Sequence, residues 1–151
     1  MSPTPAPLDG RTAPGHAEPE PAYLIARILL AGGFVFSGIN KLLDFTGATA
    51  EMAHHDLPFP ALMAAAVIVT QLGGSALLIW PRTSWIGAGW LAGFTAMATL
   101  IAHAPWNDAG PIALPQSVIF LQNAGILGGL LLALAIGARA PAARLIERLR
   151  G

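Results

Sequence analysis

Four apolar stretches, 23–43, 61–80, 84–104 and 117–137, take up most of the chain, and each has about the length of a bilayer crossing. A hydrocarbon core about 30 Å thick is spanned by roughly 20 helical residues rising about 1.5 Å each. Inside lipid no water satisfies a backbone N–H or C=O, so a spanning segment must bond to itself, as a helix does. The expected fold class is all-α: an integral membrane four-helix bundle.

Composition agrees. Charged residues make up 11% of the 151, against about 25% in soluble domains. Four spans leave too little chain for a second folded unit. The chain divides into a Pro/Ala-rich tail (1–21), a four-span domain (22–138) and a basic tail (139–151). The first tail has too little apolar content to fold and is expected to be disordered. It also lacks the basic start and immediate apolar run of a secretion signal. Ala48, Thr49 and Ala50 mimic a signal cleavage site. Lys41 and Asp44 interrupt the run before them, and three similar helices follow, so the first span is expected to be retained. The last tail alternates Arg with Leu and Ile and reads as a short amphipathic helix on the anionic inner leaflet.

Net charge is zero, but the charges are unevenly placed. Arg11, Arg27, Arg82, Arg139, Arg144, Arg148 and Arg150 fall on one side of the predicted spans, and Lys41 alone falls on the other. The positive-inside rule then puts both termini in the cytoplasm. Trp80, Trp85 and Trp106 lie near predicted span ends, where indole rings favour the interface. Residues 44–60 read as an outward loop, Pro81, Arg82 and Thr83 as a tight cytoplasmic turn, and 105–116 as a second outward loop. There is no cysteine, which excludes thiol relays and thiolate metal or iron–sulfur ligation within the chain.

Small residues recur every fourth position: Gly33 and Ser37; Ala66, Thr70 and Gly74; Gly89 and Gly93; Gly125 and Gly129. Such faces let helices approach closely. Packing within the bundle is the expected use, a homodimer the other.

Polar groups inside spans are costly, so they are the best pointers to function. Ser37, Asn40, Lys41 and Asp44 follow an i, i+3, i+4, i+7 pattern on the first helix, and Thr95, Thr99 and His103 recur every fourth residue on the third. Thr70 and Gln71 fall near mid-depth, and Gln122 and Asn123 slightly outside it. Arg27 stands apart, about 7 Å from the cytoplasmic end by helical rise. One reading makes these groups interhelical glue, at about 0.6 kcal/mol per bond. The other makes Lys41, Gln71, His103 and Asn123, with Ser37 and Asn40, the lining of an outward pocket for a small polar-headed molecule. Arg27 would then pair with a carbonyl or lipid phosphate on the inner side. His54, His55 and Asp56 do not have a metal-ligand spacing such as i, i+4, and no metal is expected.

Two of these segments, Arg27-Ile28-Leu29-Leu30 and Phe36-Ser37-Gly38-Ile39-Asn40-Lys41-Leu42, resemble the first helix of the DoxX family of small bacterial membrane proteins. The likeness continues through Leu57-Pro58 and Pro60, Gln71-Leu72-Gly73-Gly74, Leu100-Ile101-Ala102-His103, Phe120-Leu121-Gln122-Asn123 and Gly128-Gly129. It spans about residues 24–137. The family commonly carries Glu where this chain has Gln71, which donates and accepts hydrogen bonds but carries no proton. The resemblance implies a multi-pass four-helix protein of the bacterial inner membrane. It also implies a link to redox or detoxification enzymes, since the family name is tied to a thiosulfate:quinone oxidoreductase subunit.

Without cysteine, a bis-histidine haem pattern or a flavin motif, the chain alone is poorly equipped for electron transfer. The leading expectation is therefore an accessory, non-catalytic subunit holding a quinone-like or other small amphiphile, with a redox-enzyme partner and the lipid bilayer around it. A small oligomeric transporter or channel and a scaffold for a soluble enzyme are the alternatives. Nothing in the sequence points to nucleic acid.

Overall fold

The bilayer-length periodicity becomes four long helices and one short one in the computed structural model, which describes residues 21–102 and 114–139. The helices are α1 (Pro21–Leu43), α2 (Phe45–His54), α3 (Pro60–Ile79), α4 (Ser84–Ala102) and α5 (Leu114–Gly137). Among the described residues there is no strand. Four of the helices are long and apolar enough to cross a membrane. Residues 1–20, 103–113 (His103 and Trp106 among them) and 140–151 lie outside the described residues.

The short α2 corrects the reading of 44–60 as a plain loop. Asp44 stops α1 and caps α2, its carboxylate accepting a hydrogen bond from the Gly47 amide at 2.9 Å. Such a cap satisfies one of the orphan donors of a helix start. A side chain at Gly47 would put its Cβ 2.1 Å from that carboxylate and displace the cap. Ala48 and Met52, four apart, bury one face of α2 against Ala64 of α3. The chain then turns through Asp56 and Phe59, both in the left-handed region (φ 53° and 51°). Phe59 precedes Pro60, whose ring disfavours the right-handed helical region for the residue before it. Pro60 opens α3, where a missing N–H costs nothing.

The spans run antiparallel in sequence, and their order around the bundle is α1, α3, α4, α5. The end of the bundle that carries α2 is its upper end; the lower end holds Pro21, the α3–α4 turn and Gly137. That turn is tight, as expected: Thr83 N–H donates to Trp80 O at 3.1 Å, and the Thr83 hydroxyl to Leu77 O at 3.0 Å. Lipid tails are as apolar as leucine, so small residues that admit close backbone approach replace the hydrophobic drive. At Gly87 an added Cβ would lie 2.2 Å from Leu78 N and 2.7 Å from Gly74 O, marking the tightest crossing, between α3 and α4.

The central core is Ala31, Leu78, Ala88, Leu91, Ala92, Leu130 and Ala133, drawn from all four spans. Large apolar side chains point outward instead, among them Leu29, Phe36, Val69 and Leu121. That is the surface of a protein solvated by lipid. Of the small-residue sets, Gly74 meets Leu91, Gly89 meets Leu134 and Gly129 meets Leu30, whereas Gly33, Gly93 and Gly125 face open space. The seam between α1 and α5 is the least extensively packed of the four around the bundle. Its contacts of Tyr23 with Ala133 and of Leu30 with Gly129 lie in the lower half.

Candidate functional site

The polar stripe on α1 meets α2 at the upper end. Ser37, Asn40, Lys41 and Asp44 line one open recess together with Phe36, Leu43, Gly47, Ala48 and Glu51, enclosing about 710 Å3. The helical period puts the first four on one face, and α2 folds back beside that face. Lys41 forms an ion pair with Glu51 of α2. The lysine side chain is only 17% exposed while Glu51 is 46% exposed, so the ammonium sits inward and the carboxylate toward the mouth. One of the three ammonium N–H groups serves Glu51.

Behind the recess a polar ladder joins α1 to α3. Gln71 is buried and its Nε2 donates to Ser37 Oγ at 3.1 Å. Ser75, also buried, donates to Gln71 O at 2.6 Å and reaches Ala31 O at 3.5 Å. Gln71 Oε1 has no hydrogen-bond partner among the described residues. Ser37 thus belongs both to the recess wall and to the ladder.

Asn123 lies elsewhere. It lines a small recess of about 200 Å3 between α4 and α5 with Ala96, Thr99, Leu100, Phe120, Ala124 and Leu127. Thr95 and Thr99 are buried on one face of α4; the Thr99 hydroxyl donates to Thr95 O at 2.6 Å, and Thr95 Oγ1 has no partner among the described residues. Gln122 is exposed on α5. Of the residues singled out from sequence, Ser37, Asn40, Lys41 and Gln71 are brought together and Asn123 is not. His54 and His55 lie at the end of α2 with their rings 5.3 Å apart, and no metal-ligating cluster exists among the described residues.

Two participants carry no signal in the sequence. Glu51 is ten residues from Lys41 on a helix read as a loop, and no spacing rule links them. Tyr23 lies over the Arg27 guanidinium, 4.9 Å from ring centre to Cζ, and its hydroxyl donates to Ala133 O at 3.0 Å. Arg27 itself is 1% exposed, buried rather than reaching outward.

A sequence model of the DoxX family matches residues 22–104, more than half of the chain and its first three spans. The chain belongs to the DoxX family. Among its relatives, the inner membrane protein YphA of Escherichia coli (strain K12) is 28% identical over 109 residues, covering 72% of this chain and 78% of YphA. No solved structure matches. With four apolar spans and an inner-membrane relative, this DoxX protein is a multi-pass protein of the bacterial inner membrane.

Proposed function

We propose that this DoxX protein is an accessory membrane subunit of a redox or detoxification process, and that it holds a quinone-like or other small amphiphile in the upper recess. The observation carrying this reading is the recess itself. Its volume of about 710 Å3 falls in the range of small-molecule sites, which pair apolar walls with a few placed polar groups. Phe36 and Leu43, both largely exposed, border its mouth on the lipid side. Lys41, Ser37 and Asn40 supply donors for a carbonyl, and Glu51 holds the ammonium in place. With both termini in the cytoplasm, as the Lys/Arg distribution argues, the recess opens on the outer side of the membrane.

The residues fit a quinone head, which as a bound group would carry two electrons between enzymes. The chain's own part is to bind and orient it. Lys41 donates to one carbonyl, and Ser37, positioned by Gln71, places a hydroxyl beside it. Gln71 exchanges no proton, so it acts as a fixed brace.

The test is purification from native membranes in mild detergent, followed by mass spectrometry of co-purifying small molecules and proteins. Wild type should retain a near-stoichiometric amphiphile that Lys41→Ala loses while staying folded. Recovery of a partner enzyme with no small molecule would replace the binding role by an anchoring one.

A further inference from the structure

Arg27 presents a separate problem at the opposite end of the bundle. Its side chain is 1% exposed, and Nε and Nη2 are buried without a hydrogen-bond partner among the described residues. An arginine does not shed its charge in a protein, and an ionised group inside the membrane is expensive enough to mark function by default. Tyr23 covers one face of the guanidinium at 4.9 Å. A cation–π contact does not replace two lost hydrogen bonds on a buried cation.

The position of the orphans is informative. Nε–H and Nη2–H share one edge of the guanidinium plane and point in parallel, the fork that grips two oxygens of a carboxylate or phosphate. Among the described residues the acids are Asp44, Glu51 and Asp56, all at the upper end. Asp44 is about 25 Å up α1 by helical rise. The anion must come from outside the described helices. The α1–α5 seam passes this level, where Tyr23 bridges to Ala133 and Leu30 meets Gly129. Arg27 lies inside a bilayer-length span, so a ligand that reaches it carries an apolar tail.

We propose that Arg27 is a binding site for the oxyanion head of an amphiphile, a carboxylate or a phosphate, drawn from the lower leaflet. This site is independent of the upper recess and stands or falls without it.

The experiment uses the full chain in mild detergent with oleate carrying a 13C-labelled carboxylate, and in parallel with dioleoyl phosphatidylglycerol in nanodiscs and with inorganic phosphate alone. One oleate per chain should bind saturably, and oleyl alcohol, with the same tail and no oxyanion, should not displace it. Arg27→Gln should weaken binding about tenfold or more, and Arg27→Lys, which keeps the charge without the fork, should also weaken it. Retention of phosphatidylglycerol but not oleate would identify a phospholipid phosphate as the source. Tight binding of inorganic phosphate alone would overturn the amphiphile. Displacement by oleyl alcohol, or oleate and phosphatidylglycerol binding unchanged in Arg27→Gln, would overturn the site; the alcohol competition needs no variant to fold.

Discussion

Gly87→Ala should open the bundle at its tightest crossing. The added Cβ would lie 2.2 Å from Leu78 N, 2.7 Å from Gly74 O and 2.7 Å from Leu77 C. All three are backbone atoms of α3, so no rotamer change relieves them. Ordinary contact begins near 3.4 Å, which requires α3 and α4 to separate locally by about 1 Å. A gap of that size forfeits roughly a quarter to a half of the attraction of each contact across it. The contacts at stake include Leu78, Ala88 and Leu91 of the central core. Overpacking of this kind costs about 1–3 kcal/mol. Gly93→Ala, six residues along the same helix, is the control: nothing lies within 4 Å of its Cβ. The intrinsic gain of alanine over glycine in a helix, about 1 kcal/mol, is common to both variants. The difference between them therefore isolates the steric cost. Unfolding both in mixed micelles by sodium dodecyl sulfate titration, followed by tryptophan fluorescence, should find Gly87→Ala less stable than Gly93→Ala by about 1–3 kcal/mol. Equal midpoints would refute the close α3–α4 crossing.

The upper end offers three further tests. Glu51→Gln should change the unfolding free energy by less than about 1 kcal/mol, because the pair it breaks with Lys41 is half-exposed; a loss of several kcal/mol in the same titration would mean a structural role. Ser37→Ala strips the Gln71 amide of its side-chain partner and should cost about 1 kcal/mol, and adding Gln71→Leu should recover most of that. Additive losses in this double-mutant cycle would deny the bond. Asp44→Ala removes the cap of α2 and should cost about 1 kcal/mol, seen as faster amide exchange confined to the first turn after Phe45. Unchanged exchange at Gly47 would mean the cap is dispensable.

The spans were legible because lipid leaves the backbone little choice, and their observed ends differ from the expected ones by only a few residues. The common face of Ser37, Asn40, Lys41 and Asp44 was legible for the same reason, since the helical period sets it within one element. The segment after Asp44 was not. Phe45-Thr46-Gly47-Ala48-Thr49 has no strong apolar period, and its helix depends on a cap and on Ala48 and Met52 finding Ala64. The order of helices around the bundle was equally hidden. It separates Asn123, on α5 against α4, from Lys41, on α1 against α2. Arg27 shows the limit most clearly: nothing in its place on the first helix announced the cover of Tyr23 and the neighbouring spans that buries it.

The unequal packing around the bundle has a consequence for biogenesis. The ladder from Ser37 through Gln71 to Ser75 and the Gly74–Gly87 crossing use only α1, α3 and α4, which leave the ribosome before α5. Helices that insert singly and then associate can therefore complete this polar wiring as a three-span intermediate. The last span docks afterwards, chiefly along α4, and ties itself to α1 near the base through Tyr23 and Leu30. A chain truncated before residue 114, released into the membrane, should already protect Gln71.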